Sequence, residues 1–384
     1  MKAPLIKLLY PCLSVFICGF TFAAPPPEPT FRHQTIDDKI QIGYGVVAAD
    51  VDGDKKIDIL LADKTQFVWY RNPTWEKFVI AENLTKRDNV CLAAQDLDGD
   101  GKCELAVGGD WDPNDRETSG AVFYMIPPTD RTQKWEAVKL PAEPTVHRMR
   151  WLKLEEGGWG LVVAPLHGRG KDGVAGSKIL LYHMPADPQA QWKSELLDDS
   201  MHATHNIEVT STSLLVAGRE GVLGIRRDVK AGNVSLAKDL LPTSRAAGEV
   251  RYKVGFFVTV EPMHGNELVV HFKGARHVLT NQMAEGHALA LGKLLKDDIQ
   301  QIVVGWRGKG GGVRLFTRLD DALADWRESA VDDKGMACED LDLADLDGDG
   351  DLDIVASGRA TKNVKIYWNE TAPSAASTKP VDRR

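Results

Sequence analysis

Cysteine is scarce in this sequence, as are long apolar runs and excess basic charge. Only five cysteines occur in 384 residues, and two of them, Cys12 and Cys18, lie within the first 23 positions. The remaining three, Cys91, Cys103 and Cys338, are too few to form a disulfide framework in a chain of this length. Cys91 and Cys103 flank the same predicted turn, so a bridge between these two stays open as an alternative.

The charge balance and the distribution of apolar residues exclude two classes of partner. The net charge is -8, with 55 acidic and 47 basic residues, so binding to a nucleic-acid backbone is not expected. After the first 23 residues no apolar segment reaches the roughly 20 residues that cross a bilayer, so no stable membrane span is expected. Hydrophobic residues make up 43% of the chain, which is enough for a substantial core and excludes wholesale disorder.

The first 23 residues have the pattern of a secretory signal peptide. Lys2 and Lys7 precede a mostly apolar run over 8–22, and small residues follow at the positions a signal peptidase needs. The sequence therefore predicts an exported protein, either periplasmic or extracellular. A retained membrane anchor is the alternative, but the run is short for a bilayer and Pro11 interrupts it.

A pattern of apolar strand, acidic turn and apolar strand recurs at 45–61, 91–107 and 341–356. A third strand follows each copy, and a fourth segment led by tryptophan usually follows that. Four degenerate copies without the acidic turn fill the middle of the chain, at 159–164, 213–218, 267–271 and 301–305. Seven units of roughly 45 residues match the four-stranded blades of a propeller.

We therefore predict an all-β fold, a seven-bladed β-propeller of four-stranded blades. The last unit stops after its third strand, and an extra strand-like segment over 31–42 precedes the first unit. This N-terminal strand is expected to close the ring and remove its open edge. Two packed β-sandwich domains are the structural alternative. The predicted organisation is a signal peptide over 1–23, a Pro-rich linker over 24–30, the propeller over 31–370 and a disordered tail over 371–384.

The acidic turns carry carboxylates at relative positions 1, 3, 5 and 9, with glycine at position 4. Oxygen ligands that converge in a flexible loop suit Ca²⁺ better than Mg²⁺. Without a cation, carboxylates this close repel one another, so solvated turns with no bound ion are the less favoured alternative. The predicted calcium ligands are Asp50, Asp52, Asp54 and Asp58, then Asp96, Asp98, Asp100 and Glu104, and finally Asp345, Asp347, Asp349 and Asp353.

These turns resemble the FG-GAP or VCBS repeats of integrin-type propellers. The resemblance implies a propeller fold for most of the chain and a structural role for the calcium ions.

The inner strand of each blade begins near the propeller axis, so residues at one offset before the turns are expected to form a ring. In the three clear units this offset falls at Tyr44, Val90 and Glu339. The degenerate units place His147, Glu249, His287 and either His202 or His205 at or near it. Imidazole and carboxylate together suit Zn²⁺ or a similar divalent transition metal. The candidate ligands are His147, His202, His205, His287 and Glu339; the alternative for each is an ordinary hydrogen-bonded residue at a strand entrance.

Arginines lie close in sequence to these ring positions. Arg148, Arg251 and Arg307, together with Tyr44, are candidates for binding an oxygen-rich and anionic ligand such as a sugar derivative.

A second resemblance is narrower. The segments 249–252, 258–266, 285–289 and 303–308, and above all the string Glu-Pro-Met-His-Gly-Asn over 261–266, are similar to the propeller part of the aldos-2-ulose dehydratase family. The resemblance implies loss of water from a keto-sugar, with a metal ion in the propeller cleft. The cupin domains associated with isomerase activity in that family are absent here, so we do not expect isomerase activity.

Two functional hypotheses follow. The first is an exported, metal-dependent lyase that acts by β-elimination on a keto-sugar or ketoglycoside. In this reading His264, His205 or Glu249 removes the proton beside the carbonyl, and His287 or His147 protonates the departing oxygen. The second is a non-catalytic, calcium-stabilised propeller that binds carbohydrate or protein. The sequence does not identify the sugar or the oligomeric state.

Overall fold

The computed structural model consists of seven four-stranded antiparallel sheets arranged as a β-propeller. It describes residues 26–371, except 155–156, 212, 231–232, 243, 296–299 and 321–322. Every regular element in these residues is a strand, so no helix there is long and apolar enough to cross a membrane. The predicted fold class is confirmed, and the alternative of two sandwich domains is wrong. The predicted signal peptide and all but the first residue of the predicted tail lie outside the described residues.

The strands follow one another blade by blade. Blade one contains β2 (Gly45–Ala49), β3 (Asp58–Ala62), β4 (Gln66–Arg71) and β5 (Glu76–Glu82). Blade two contains β6 (Cys91–Gln95), β7 (Glu104–Gly109), β8 (Ala121–Ile126) and β9 (Glu136–Leu140). Blade three contains β10 (Val146–Lys153), β11 (Trp159–Pro165), β12 (Ile179–His183) and β13 (Lys193–Asp198). Blade four contains β14 (Thr204–Val209), β15 (Leu214–Gly218), β16 (Gly221–Lys230) and β17 (Asn233–Leu240). Blade five contains β18 (Glu249–Lys253), β19 (Phe256–Glu261), β20 (Glu267–Phe272) and β21 (Ala275–Thr280). Blade six contains β22 (Gly286–Gly292), β23 (Gln301–Trp306), β24 (Gly312–Arg318) and β25 (Trp326–Asp332). Blade seven contains β26 (Cys338–Ala344), β27 (Asp353–Gly358), β28 (Asn363–Asn369) and β1 (Phe31–Asp37).

The middle strands of each blade are buried on both faces because every sheet packs between two neighbouring sheets. In β3 and β23 every residue is buried, and both strands are rich in Val, Ile and Leu. The apolar residues of adjacent blades form shared clusters, such as Leu60 and Trp69 of blade one with Leu105 of blade two. Burial between blades therefore stabilises the ring.

The N-terminal strand completes blade seven, as predicted. β1 pairs antiparallel with β28, with His33 opposite Tyr367. The Pro-rich segment ahead of β1 contacts the outer strand of blade six, where Arg327 donates a hydrogen bond of 2.9 Å to the Pro26 carbonyl. These contacts attach the segment to the propeller.

The three described cysteines are buried and free. The alternative of a Cys91–Cys103 bridge is wrong, because the register of β6 and β7 places Cys91 opposite Gly108.

The first strand of each blade lies innermost, beside the propeller axis. We call the face where these inner strands begin the upper face, and the face where they enter the first turn the lower face. Because the sheets are antiparallel, the loops between second and third strands also lie on the upper face, and the acidic turns lie on the lower face.

Candidate functional site

Four inner strands contain a β-bulge at the same position. In blades three, four, six and seven the register between the first and second strands shifts around the second residue of the inner strand. A bulge leaves the extra residue out of the ladder and redirects its side chain. The residues at these bulges are His147, His205, His287 and Glu339, so one repeated backbone irregularity places four of the seven predicted ring residues.

Three histidines from three blades converge at the upper end of the axis. His205 and His287 come from bulges in blades four and six, and His264 comes from the loop after β19 in blade five. Their ring centroids are separated by 4.1 to 4.9 Å. Each ring offers one nitrogen atom, and these three atoms lie within 4.8 Å of one another. We call this group the histidine cluster.

Backbone carbonyls fix the orientation of two of these rings. The Nδ1 atom of His205 lies 2.7 Å from the Gly248 carbonyl oxygen, and that of His287 lies 2.6 Å from the Glu339 carbonyl oxygen. A carbonyl only accepts hydrogen bonds, so each Nδ1 carries the proton and each Nε2 keeps its lone pair. The Nε2 atoms of His205 and His264 are buried without a hydrogen-bond partner.

The surroundings keep the cluster uncharged. Burial, and then the neighbouring charge of Arg148, lowers the pKa of His205 well below its ordinary value. Burial and the charge of Arg307 do the same to the pKa of His287. Neutral imidazole is the form that binds a metal ion.

Close backbone packing brings His264 to the cluster. A side-chain Cβ atom at Gly248 would lie 2.6 Å from the Met263 carbonyl oxygen and 3.2 Å from Cδ2 of His264. Glycine at 248 therefore permits the loop that carries His264 to approach β18. The same residue supplies the carbonyl that orients His205.

His147 lies beside the histidine cluster but outside it. Its ring stacks on Trp111, with centroids 4.8 Å apart and planes inclined by 24°, and lies 4.6 Å from the His205 ring. Both ring nitrogens are buried without a hydrogen-bond partner. Burial, followed by the charge of Arg148, lowers its pKa well below the ordinary value. His147 is thus a neutral imidazole with an available lone pair.

Glu339 faces two arginines. Nη1 of Arg307 lies 2.9 and 2.8 Å from its two carboxylate oxygens, and Nη1 of Arg359 lies 3.0 Å from Oε1. The distance from Oε1 to Nε2 of His287 is 4.0 Å. Although it was predicted as a metal ligand, Glu339 is held by ion pairs at the edge of the cluster.

His202 does not join the other predicted ligands. It lies two residues before the start of β14, and its Nδ1 atom is 2.9 Å from a carboxylate oxygen of Glu220. Its side chain is 37% exposed, whereas that of His205 is fully buried. The structure therefore selects His205 from the two alternatives for blade four.

The remaining predicted residues divide between the upper rim and the channel. The Tyr44 hydroxyl donates a 2.9 Å hydrogen bond to Asp88, and the Arg359 guanidinium lies over the Tyr44 ring. Glu249 is fully buried, with its Oε1 3.4 Å from Nδ1 of His205, and its Oε2 accepts a 2.6 Å hydrogen bond from Asn206. Burial raises the pKa of Glu249.

Arg251 lies two residues after Glu249 on the inner strand of blade five and lines the channel. Its Nε atom is 3.8 Å from Glu208, and its Nη1 atom is 3.6 Å from Glu249. Arg148 follows His147 on β10 and donates a 3.0 Å hydrogen bond to the His147 carbonyl.

In each acidic turn the carboxylates at positions 1, 3 and 9 approach one another, with oxygen atoms within 4.8 Å. Those at position 5, namely Asp54, Asp100 and Asp349, lie outside these groups. The position 9 side chain also anchors the turn: the two oxygens of Asp58 accept hydrogen bonds from the backbone of Val51 and Asn72.

Three residues in or near the channel were not predicted from the sequence. Trp111 lies in the loop after β7, where no repeat pattern marks it. Arg359 could have been predicted from the repeat, because it directly follows the second strand of blade seven just as Arg307 directly follows the second strand of blade six. Arg150 could also have been predicted, because it lies two positions after Arg148 on the same inner strand.

Comparisons with known proteins identify the repeat and the fold. Residues 50–107, which include the first two acidic turns, match the family model of the FG-GAP-like repeat. No curated protein matches the sequence.

Many solved structures share the architecture. A chain of a mitotic checkpoint complex has 12% identity and a TM-score of 0.58, and the match covers 97% of this chain and 100% of that one. BBS1N, crystallised in complex with ARL6DN, has 13% identity and a TM-score of 0.58, with coverage of 90% and 98%. The Cps50 (Swd1) β-propeller domain of Myceliophteria thermophila has 10% identity and a TM-score of 0.56, with coverage of 88% and 99%. At these identities the likeness shows the fold alone.

Proposed function

We propose that this chain is an exported, metal-dependent lyase that acts by β-elimination on a keto-sugar or ketoglycoside. The observation that carries the proposal is the histidine cluster, in which three buried imidazoles from three blades direct nitrogen atoms to one point. The resemblance of 261–266 to the aldos-2-ulose dehydratases supports the choice of substrate class.

The residues of the cluster fit a divalent transition metal such as Zn²⁺. Unpartnered nitrogen atoms in a buried site are costly unless something binds them, and two of the three Nε2 atoms are in this state. Three protein ligands leave a coordination position for substrate, as in catalytic zinc sites. When bound there, the ion would act as a Lewis acid that polarises a ketone oxygen.

His147 is suited to the proton transfers of the elimination. As a neutral imidazole it accepts the proton from the carbon beside the ketone. The electron pair of that C–H bond then forms the new C=C bond as the C–O bond at the next carbon breaks. The departing oxygen takes the proton back from His147, so the products are an enone and a free alcohol or water.

The upper rim supplies groups that suit a sugar. Arg307 and Arg359 hold Glu339 through their Nη1 atoms, and the Arg359 guanidinium lies over the Tyr44 ring. The flat Trp111 ring forms one wall of the site. These groups would orient hydroxyl groups of the substrate above the cluster.

We also propose that the acidic turns bind Ca²⁺ and stabilise the lower face. Three turns repeat the same arrangement of carboxylates, which favours a second candidate function, a non-catalytic calcium-stabilised propeller that binds carbohydrate or protein. The second candidate predicts no transition metal at the histidine cluster.

Elemental analysis after mild dialysis separates the two candidates. The lyase predicts about one transition metal ion per chain, and His264→Ala should lose it. His202→Ala is the matched control and should retain the metal, because His202 pairs with Glu220 outside the cluster.

The activity is tested by incubating the protein with a panel of keto-sugars and ketoglycosides and following the absorbance of the enone product. His264→Ala should lose at least 100-fold in rate. If His264→Ala and His287→Ala both retain full turnover on every accepted keto-sugar, the lyase proposal is wrong.

A further inference from the structure

A second chamber lies in the channel below the histidine cluster. Its volume is about 310 Å³, and charged side chains of four inner strands line it. These are Arg150, Glu208, Arg251, Asp340 and Asp342. Apart from Asp340, which directly follows Glu339, they lie two or three residues further along their strands than the ring residues, so the chamber is roughly 7 to 10 Å from the cluster.

The carboxylates around this chamber already have partners. Asp340 accepts hydrogen bonds of 3.1 and 3.0 Å from the backbone of Val46 and Leu341. Asp342 accepts bonds of 3.0 and 2.9 Å from the backbone of Ala48 and Leu343. Both side chains are thus directed at backbone N–H groups.

The third carboxylate of the lining, Glu208, shares one arginine with the neighbouring Glu249. Arg251 lies 3.8 Å from Glu208 and 3.6 Å from Glu249. Arg251 is therefore the arginine that balances the glutamates of the channel.

Arg148 and Arg150 have no such partner. Among the described residues, no carboxylate oxygen lies within 4 Å of either guanidinium, and each donates a single hydrogen bond to a neighbouring backbone carbonyl. Arg148 is 4% exposed. Burial, and then the charge of Arg251, lowers the pKa of Arg150, while the charges of Asp340 and Glu208 oppose this shift.

Arg148 is buried and Arg150 is partly buried, and neither forms an ion pair within 4 Å with a described carboxylate. A bound anion would give them the charge-assisted hydrogen bonds that the more distant carboxylates of Asp340 and Glu208 do not. The four carboxylates nearby would repel a dianion such as phosphate or sulfate more strongly than a monoanion. Those same carboxylates accept hydrogen bonds from hydroxyl groups. The lining therefore selects a ligand with one negative charge and several hydroxyls.

We propose that this chamber is a binding site for a small polyhydroxylated monocarboxylate, such as a sugar acid, whose carboxylate binds Arg150. A volume of about 310 Å³ accommodates a molecule of this size. The site is separate from the histidine cluster and does not require a metal ion there.

Calorimetric titration tests the proposal with three probes: D-glucuronate, methyl glucoside and sulfate. Glucuronate should bind at least ten times more tightly than either of the others. Arg150→Gln should weaken glucuronate binding at least tenfold, whereas Arg226→Gln, a change at an exposed arginine on the third strand of blade four, should have no effect.

The titration is repeated with His264→Ala to locate the site. Retained glucuronate binding supports the chamber, and its loss would show that the sugar acid binds at the cluster. Equal binding of glucuronate and methyl glucoside, tighter binding of sulfate, or no binding of glucuronate at millimolar concentration would each overturn the proposal. These comparisons use the parent chain, so they remain decisive if Arg150→Gln does not fold.

Discussion

The histidine cluster and the acidic turns lie at opposite ends of the same inner strands, and they are built in different ways. An acidic turn takes its carboxylates from nine consecutive residues of one blade, and the first of them already accepts hydrogen bonds from the turn's own backbone. The histidine cluster takes one side chain from each of three blades and leaves nitrogen atoms buried without partners.

This difference shows which kind of site depends on the ring. An acidic turn needs only its own hairpin, so it can be read from a contiguous motif. The histidine cluster exists only when three blades are in register, because bulges in blades four and six and a loop in blade five must meet. We expect perturbations of the cluster to change chemistry, and perturbations of the turns to change stability.

The largest expected effect would distinguish the proposed base from the proposed metal ligands. His147→Gln should lower kcat by about 10²- to 10⁴-fold on a keto-sugar while the metal content is unchanged, because His147 lies outside the cluster. Single-turnover absorbance and elemental analysis measure the two quantities. His183→Gln, at the end of the third strand of blade three, is the control and should keep full activity. Loss of metal from His147→Gln would place His147 among the ligands instead.

An intermediate effect tests the close packing behind the cluster. Gly248→Ala places a methyl group 2.6 Å from the Met263 carbonyl, so the loop carrying His264 must move away. We expect at least a tenfold loss of transition-metal affinity, measured by competition with a chelator. Gly224→Ala is the matched control, because its nearest neighbour would lie at 3.6 Å. Unchanged metal affinity in Gly248→Ala would contradict the role given to this glycine.

The smallest effect concerns the turns. Chelation of calcium should lower Tm by about 2–4 °C for each kcal/mol of binding free energy lost. Burial raises the pKa of Asp58 and Glu104 to about 7 and that of Asp353 to about 6. The folded, calcium-free chain therefore binds more protons than the unfolded chain, and its stability falls as pH rises from about 4 to 7.

The Tm difference between calcium-bound and chelated protein should accordingly be larger at pH 8 than at pH 5. Calorimetric scans at the two pH values measure it. The same difference should persist in His264→Ala, where the cluster is disrupted but the turns are intact. A pH-independent difference would show that these buried carboxylates do not control the stability of the turns.

Local patterns predicted most of the fold. The repeated turns, the unit length and the extra N-terminal segment were sufficient for seven blades and their closure. The ring offset also identified His147, His287 and Glu339 as channel residues.

The finer geometry depended on contacts between blades, which the pattern does not contain. The choice between His202 and His205 followed from the bulge in β14. The orientation of Glu339 depended on Arg307 and Arg359 from loops of two blades. The position of Arg251 depended on how far each inner strand continues down the channel.

The pairing of β1 with β28, which we call the seam, affects how this protein folds during its synthesis. Arg32 and Glu370, 338 positions apart in the chain, form an ion pair at this seam. The first strand leaves the ribosome long before its partner has been synthesised, so blade seven has an open edge until translation of the propeller is complete. Such an edge invites pairing with another nascent chain. Linking these two neighbouring strands and opening the chain at a loop between blades would give a circular permutant in which every blade is contiguous.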